Sequence, residues 1–246
     1  MTNLSDLYEF LEYKMPKALS EDWDNDGIMI MEKECKVSKI LICLDVTENI
    51  ANYAIKEKFN LIISHHPLIF HPLKSVCDKR IINLIKNNIS VFSFHTRLDA
   101  VDGGVNDTLC EKLGLSNIEK FGNLVRIGEY NRSMSVGEFA DILKTTLGTD
   151  KLSTILKTNE VRKVCVLGGA GKDEYSLALE SGADTYLTGE MSYSTMTDAN
   201  NGTINVFEAG HFETEFPVCN TVKKWINEFN PNIECEIIKD KPIKTL

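Results

Sequence analysis

The stretch KILICLDVTENIANYAIKEKFNLIISHH, residues 39–66, decides the fold, and it has a counterpart later in the chain. Residues 163–190, KVCVLGGAGKDEYSLALESGADTYLTGE, have the same length and a similar order of apolar and polar runs. Each segment predicts a strand, a turn, a helix and a second strand. The strands are apolar almost throughout, as expected when both faces of a sheet are buried. Thr47 and the Gly-rich turn stand where the two helices are expected to begin.

Each of these segments is followed by a second helix and a further apolar strand, ISVFSF in the first half and TINVFEA in the second. The chain is therefore expected to form two related α/β lobes that arise from an internal duplication, residues 1–126 and 127–246, with an approximate boundary. A capping-box pattern, Ser135 with Glu138, predicts the next helix after that boundary. Because α/β sheets bind ligands at the carboxyl ends of their strands, we expect the functional site in the cleft between the lobes.

Four of the five histidines occupy matched places after apolar runs. The pairs that they form are His65–His66, His95–Asp99 and His211–Glu215. Imidazoles and carboxylates at strand ends are ligands that divalent zinc, manganese, iron and nickel accept. The pattern predicts a site for two metal ions that activates water, and hence hydrolytic chemistry.

Each of these residues also has a purely structural interpretation. Consecutive side chains of a strand point to opposite faces, so either histidine of the His-His pair could be structural. His95 could cap the next loop, Asp99 could cap a helix that begins near Val101, and Glu215 could lie in a first helical turn. Recurrence of the pattern in both halves favours the metal-binding interpretation.

Composition narrows the class of protein. The chain has 246 residues with 43% hydrophobic and 26% charged residues, which is ordinary for a globular protein. A formal net charge of -9 disfavours duplex DNA as a partner. No apolar run reaches membrane-spanning length and the first residues are polar and acidic, so we expect a cytoplasmic protein without a membrane partner.

The cysteines and the Gly-rich stretch exclude three other classes of site. Seven cysteines without a C-x-x-C spacing argue against a disulfide framework and a zinc ribbon, and most are expected to be buried. The stretch GGAGK, residues 168–172, lacks the spacing of a nucleotide-binding Walker loop and is interpreted as a tight turn, with contact to a substrate phosphate as the alternative.

Six motifs, in order along nearly the whole chain, resemble those of the type 2 GTP cyclohydrolase I homologue family, also called the NIF-three-like proteins. They are WDNDG (23–27), LDVT (44–47), SHHP (64–67), HTRLDAVDGGVND (95–107), TGE (188–190) and GHFETE (210–215). The chain resembles the compact bacterial form, since it is too short to hold the extra domain of longer members. In that family a dinuclear metal centre lies between interlinked lobes, and the subunits form a toroidal homohexamer.

The resemblance also implies roles for individual residues. The implied metal ligands are His65, His66, Asp99, His211 and Glu215, with Glu215 bridging two divalent ions of zinc, iron, manganese or nickel. His95 is implied as a further ligand or a proton-transfer group. For the hydrolytic chemistry, Glu190 is a second candidate for proton transfer, and its alternative interpretation is a solvated glutamate at the start of a helix. Asp45 is expected either to orient a ligand imidazole or to cap the helix after it.

The implied activity is that of a metal-dependent hydrolase, similar to GTP cyclohydrolase, that acts on a nucleotide or another small substrate. The alternative is a non-catalytic metal-binding protein with a regulatory or scaffold role in a ring assembly. The sequence departs from the family pattern at Arg97, where asparagine is frequent, at Asp26, where an apolar residue is common, and at residues 192–194, which lack a frequent histidine. None of these departures removes an implied metal ligand.

Overall fold

The structure is a computed structural model that describes residues 2–31 and 35–243. It has a mixed α/β fold, and the chain divides into two units. Unit 1 comprises Met1–Val101 together with Cys219–Leu246, and unit 2 comprises Asp102–Val218.

The N-terminal stretch of unit 1 alternates strands and helices. In chain order its elements are β1 (Thr2–Asn3), α1 (Leu4–Lys14), β2 (Gly27–Ile30), β3 (Lys36–Val37), β4 (Lys39–Cys43), α2 (Glu48–Lys56), β5 (Leu61–Ser64), α3 (Lys79–Lys86), β6 (Ser90–Ser93) and α4 (Thr96–Ala100). A short 3-10 helix, Lys17–Leu19, follows α1.

The first repeated segment folds as the sequence predicts, into strand β4, helix α2 and strand β5. Thr47 begins α2, because its hydroxyl oxygen accepts a hydrogen bond of 3.1 Å from the backbone N–H of Ile50. The two strands pair in parallel, and apolar residues of β4, β5 and β6 pack with those of α2 and α3 in one buried cluster. The carboxyl ends of β5 and β6 therefore lie side by side, and these are the positions that carry His65 and His95.

Unit 2 is built in a similar way. In chain order its elements are α5 (Val105–Lys112), β7 (Ser116–Phe121), β8 (Val125–Ser135), α6 (Val136–Leu147), β9 (Ser153–Ile155), β10 (Glu160–Ala170), α7 (Tyr175–Glu180), β11 (Thr185–Glu190), α8 (Tyr193–Ala199), β12 (Asn205–Glu208) and α9 (His211–Glu215). The predicted capping box is present, since Ser135 and Glu138 bond reciprocally at the start of α6.

The second repeated segment also folds as strand, helix and strand, with β10 and β11 parallel. The GGAGK stretch, however, begins within strand β10, which ends at Ala170, and the pairing with β11 shifts register between Leu167 and Ala170. Gly169 has a φ of +67° at this irregularity, a conformation that costs glycine little. The stretch is thus a bulged strand end that runs into a turn.

The chain returns to unit 1 through its last elements, α10 (Val218–Phe229) and β13 (Glu234–Ile237). Strand β13 pairs in parallel with β4, which gives a five-stranded sheet in the order β13-β4-β5-β6-β2. This division differs from the expected boundary near residue 126. Strand β8 runs without a break through that position and pairs with both β7 and β10 inside unit 2.

The sheet of unit 2 has six strands in the order β7-β8-β10-β11-β12-β9. In unit 1, the four parallel strands β13, β4, β5 and β6 are followed by the antiparallel neighbour β2. In unit 2, the three parallel strands β10, β11 and β12 are followed by the antiparallel neighbour β9. The internal duplication stays a prediction.

Among the described residues, no helix has the length and apolar composition needed to cross a membrane. Cys43, Cys110, Cys165 and Cys219 are buried, as expected, whereas Cys77 is exposed. Burial raises the pKa of the Cys165 thiol to about 12, so this thiol is protonated near neutral pH.

Arg97 is the largest fully buried side chain of unit 1, and it lies in helix α4. Its Nε and Nη2 atoms donate hydrogen bonds of 3.0 Å to the two carboxylate oxygens of Asp26. Its Nη1 atom donates to Glu12 Oε1 at 2.6 Å and to the Met15 carbonyl oxygen at 3.0 Å. The two departures from the family pattern, Arg97 and Asp26, are therefore partners.

Asp26 is held by two further groups, Lys17 and Ser20. Burial opposes ionisation of Asp26, but the hydrogen bonds from Arg97 and Lys17 outweigh burial and hold the pKa of this carboxyl below its usual range. The network ties α4, α1 and the segment before β2 together.

Arg97→Met is expected to lower the free energy of unfolding by about 3 kcal/mol, because the Asp26 charge stays buried without its main partner. Urea unfolding followed by circular dichroism measures this change. The double variant Arg97→Met with Asp26→Leu is expected to recover most of the loss, since it removes both charges.

The matched control for this experiment is Arg132→Met. The Arg132 side chain is 76% exposed and lies 3.6 Å from Glu138, and such surface pairs contribute little, so we expect a change below about 0.5 kcal/mol. Equal effects of the two single variants would contradict the role given to the buried pair.

Candidate metal centre

His65 and His66 directly follow strand β5, at the carboxyl end of the sheet of unit 1. His65 is buried, and its Nδ1 atom lies 2.9 Å from the carbonyl oxygen of Phe94, which can only accept a hydrogen bond. Nδ1 therefore carries the proton, and the Nε2 lone pair points towards Asp99, whose Oδ1 atom is 3.6 Å away.

His66 is oriented in the same way by a carboxylate. Its Nδ1 atom lies 2.7 Å from Asp45 Oδ1, which accepts the hydrogen bond and fixes the orientation of the ring. The backbone N–H of His66 donates to the Leu44 carbonyl oxygen at 2.9 Å and fixes the strand end. Of the two roles expected for Asp45, the structure shows the orienting contact, while Thr47 caps helix α2.

His95 follows strand β6 and occupies the N-cap position of helix α4. Its Nδ1 atom lies 2.9 Å from Asp24 Oδ1, and the other carboxylate oxygen of Asp24 accepts hydrogen bonds from the backbone N–H and the hydroxyl of Thr96. Burial raises the pKa of Asp24, but these hydrogen bonds outweigh burial and lower the pKa to about 2. Asp24 is thus a fixed anion behind the imidazole.

The three imidazoles of unit 1 form one cluster. Ring centroids are 5.0 Å apart for His65 and His66, 5.3 Å for His65 and His95, and 5.8 Å for His66 and His95. One nitrogen from each ring can be chosen so that all three lie within 4.8 Å of one another. Such a group could hold a metal ion.

Asp99 lies inside helix α4 rather than at the start of the next helix. Helix α5 begins at Val105, and Gly104 occupies its N-cap position, so the expectation that Asp99 caps a helix is wrong. Asp99 contacts His65 instead, and its role as a metal ligand stays a prediction.

In unit 2, His211 and Glu215 occupy the two ends of helix α9, one turn apart. His211 Nε2 lies 3.0 Å from Glu215 Oε2, and the Glu215 side chain is almost completely buried. On the other side of the ring, Nδ1 lies 3.1 Å from Oε1 of Glu190, the last residue of β11. Glu190 therefore holds the ring of His211, a contact that the sequence did not predict.

Both ring nitrogens of His211 face carboxylate oxygens. A neutral imidazole has one N–H and can donate to only one of them, and a cation at the other nitrogen would satisfy the second contact. His65 has a related arrangement, with the Phe94 carbonyl oxygen 2.9 Å from Nδ1 and Asp99 Oδ1 3.6 Å from Nε2. Neutral imidazole nitrogens paired with carboxylate oxygens are a donor set that fits a divalent transition-metal ion.

Gly169 leaves room for the side chains of His211 and Glu215 because it has no side chain of its own. A Cβ atom on Gly169 would overlap Glu215 Oε1 and come within 3.3 Å of His211 Nε2. The backbone N–H of Gly169 donates to Thr214 Oγ1 at 3.0 Å, which fixes the bulged strand against helix α9. The Gly-rich stretch therefore makes space for the histidine–carboxylate pair.

Two groups that orient imidazoles could not be predicted from the sequence, the Asp24 carboxylate and the Phe94 carbonyl oxygen. Asp24 belongs to the WDNDG motif, yet it lies 71 positions before its partner His95. A backbone carbonyl gives no sequence signal at all. Only the fold brings these acceptors to the imidazoles.

The fold and the clustered side chains define a mixed α/β protein with groups that could hold a metal ion. The model of the family Duf34/NIF3 (NGG1p interacting factor 3) matches residues 2–243. The chain belongs to this family, as the motifs predicted.

Relatives agree with this assignment over most of their length. A GTP cyclohydrolase 1 type 2 homolog from Clostridium perfringens is 34% identical over 239 residues, which cover 92% of this chain and 91% of the relative. A protein of the same name from Methanocaldococcus jannaschii is 31% identical over 245 residues, 95% of this chain and 97% of the relative. The solved structure of a Bacillus cereus protein related to NIF3 is 26% identical, with a TM-score of 0.93, and the match covers 100% of this chain and 99% of that chain.

Gly169→Ala is expected to weaken zinc binding by about tenfold or more, because the added methyl group displaces the carboxylate of Glu215, an expected ligand. Isothermal titration with zinc measures the affinity. Gly148→Ala is the matched control: Gly148 has a φ of +69°, close to that of Gly169, but nothing lies within 4 Å of its added Cβ atom. Equal zinc affinities of the two variants would contradict the steric argument.

Asp24→Asn and Asp45→Asn test the orienting carboxylates. Each substitution removes a charged acceptor behind an imidazole, so each is expected to lower zinc affinity by about 10- to 100-fold. The exposed neighbour Asp22 gives the control, Asp22→Asn, whose zinc affinity should equal that of the wild type. Unchanged affinity in both test variants would show that the rings of His95 and His66 do not depend on these contacts.

Proposed function

We propose that this protein is a dinuclear, divalent-metal-dependent hydrolase, similar to GTP cyclohydrolase 1 type 2, in which metal-activated water acts on a nucleotide or a related small substrate. The observation that carries the proposal is shared by four histidines. In each, Nδ1 contacts an oxygen acceptor, which is the contact that orients the imidazole of a metal ligand. The names of the relatives support the same class of activity.

The proposed ligands are those that the family resemblance implies, namely His65, His66, Asp99, His211 and Glu215, with Glu215 as the bridging ligand. This mixed set of nitrogen and oxygen donors suits zinc, iron, manganese or nickel, and two ions are proposed per chain. When bound, such ions lower the pKa of water and supply a nucleophile near neutral pH.

His95 is proposed as the group that moves a proton. Its Nδ1–H donates to Asp24, which leaves Nε2 free of a proton in the neutral ring, so Nε2 can accept one. The Asp24 carboxylate stays ionised above a pKa of about 2 and stabilises the imidazolium that results. Glu190, which contacts His211 Nδ1, is proposed as a second proton-transfer group.

A cavity of about 590 Å³ lies beside His66 in unit 1. Its lining includes Asp45, Thr47, Leu68 and Arg80, so it combines apolar walls with charged and hydroxyl groups. This volume lies within the range of small-molecule sites. We place the substrate entry at this cavity, next to a proposed metal ligand.

The family resemblance also supports a toroidal homohexamer, and the sequence composition favours a cytoplasmic location. Both stay proposals. The alternative function, a non-catalytic metal-binding protein with a regulatory or scaffold role in a ring, is decided by the following experiment.

The test is turnover of GTP, beside a panel of other nucleotides and phosphoesters, by zinc- or manganese-reconstituted protein. Wild-type protein is expected to bind two metal ions per chain and to turn over a member of the panel. His66→Ala and Glu215→Ala are expected to bind fewer ions and to lose activity by about a hundredfold or more, because each removes a ligand. Removal of metal with a chelator should have the same effect, and metal should restore turnover.

His71→Ala is the control for metal content. His71 is exposed and lies outside the cluster, so the variant should keep both equivalents of metal. Two bound ions without turnover of any compound in the panel would overturn the hydrolase and favour the regulatory alternative. Full metal content in His66→Ala and Glu215→Ala would overturn the ligand assignment.

A further inference from the structure

Two large aromatic side chains lie exposed beside His95. Trp23 is 61% exposed and Phe70 is 39% exposed, although both rings are apolar enough to favour burial. Their ring centroids are 6.0 Å apart, with an angle of 52° between the planes. The His95 ring lies 6.1 Å from Trp23 and 6.3 Å from Phe70, and it meets both nearly edge-on.

The segment that carries Trp23 is fixed on both sides. The backbone N–H of Glu21 donates to Thr96 Oγ1 at 3.0 Å, and Asp24 accepts hydrogen bonds from Thr96 and His95. The Trp23 backbone therefore lies between two anchored residues while its indole remains in water. An aromatic group held in place and exposed costs little entropy when a ligand covers it.

The segment that carries Phe70 is tied to the same place. Asn25 Nδ2 donates a hydrogen bond of 2.5 Å to the carbonyl oxygen of Ile69, the residue before Phe70. The two rings thus come from segments far apart in sequence that are joined by a hydrogen bond. This arrangement keeps Trp23 and Phe70 adjacent without burying either.

The charged residues next to Trp23 determine which kind of ligand could bind to the two rings. Glu21, Asp22 and Asp24 are acidic, so a phosphate or carboxylate is repelled next to Trp23. A neutral, flat heterocycle stacks on an indole face, and ring N–H groups can donate to nearby carboxylates. A nucleobase has both properties.

We infer that Trp23 and Phe70 form a stacking platform that binds the flat heterocyclic base of the substrate beside His95. The inference rests on the proposed function, because it names the substrate class of the same site. It places the base next to the group proposed to move a proton, and it assigns to Trp23 a role in substrate affinity rather than in folding.

The test uses the full-length protein with guanosine, a nucleoside that lacks phosphate, as the probe. Guanosine is expected to quench the fluorescence of Trp23, measured in the Trp225→Phe background because Trp225 is the second tryptophan and is mostly buried. Calorimetric titration gives the affinity. Trp23→Ala and Phe70→Ala are expected to weaken guanosine binding by about tenfold or more, whereas Trp23→Phe, which keeps a ring, should stay within about threefold.

Tyr13→Ala is the control, because Tyr13 is 80% exposed and is outside the platform. Ribose 5-phosphate is the control ligand, and its binding should not depend on Trp23. Guanosine affinity that is unchanged in Trp23→Ala and Phe70→Ala overturns the platform. So does a loss of affinity in Trp23→Ala that occurs only together with a changed oligomeric state in analytical ultracentrifugation, since Trp23 is then a contact between copies of the chain.

Guanosine binding at the platform and turnover by the hydrolase can be tested separately. Guanosine binding that depends on Trp23 in His66→Ala protein supports the platform even where turnover fails. Turnover of the panel without any effect of Trp23→Ala or Phe70→Ala on KM leaves the hydrolase in place and removes the platform.

Discussion

A hydrogen bond from imidazole Nδ1 to an oxygen atom is the constraint on which the candidate centre depends. It fixes the ring, selects the tautomer and leaves Nε2 with a lone pair. The acceptors differ in kind: a backbone carbonyl for His65, and carboxylates for His66, His95 and His211. Because carbonyl and carboxylate oxygens can only accept hydrogen bonds, Nδ1 is the nitrogen that carries the proton in every case.

The fold supplies these acceptors through its parallel strands. The ends of β5 and β6 bring His65, Phe94 and His95 together, because neighbouring parallel strands end at the same edge of the sheet. In unit 2, β11 ends at Glu190 and α9 begins at His211. The glycine at the bulged end of β10 leaves the space that Glu215 occupies.

Much of this architecture could be predicted from local sequence. The apolar runs predicted both strand–helix–strand segments, and Thr47 and Ser135 marked the helix starts, because caps and periodicity are local signals. The boundary near residue 126 could not be placed, since β8 continues through it and β13 returns to β4 from the far end of the chain.

Contacts between residues far apart in the chain also explain features that local sequence could not predict. Arg97 and Asp26 looked like two separate departures from the family pattern, yet each is the main partner of the other and neither charge could be buried alone. Asp24 was visible only as part of a motif, because nothing in the sequence joins it to His95. Asp99 illustrates the opposite error: a plausible helix cap in sequence lies inside a helix in the structure.

The most direct test of the account is a crystal structure of the zinc-loaded protein with an anomalous difference map collected at the zinc edge. The account predicts peaks at about 2.0–2.1 Å from the Nε2 atoms of His65, His66 and His211, with Glu215 as a ligand and every Nδ1 still bonded to its oxygen. Zinc bound to Nδ1 atoms, or found only at the exposed Cys77 and other surface groups, would contradict it.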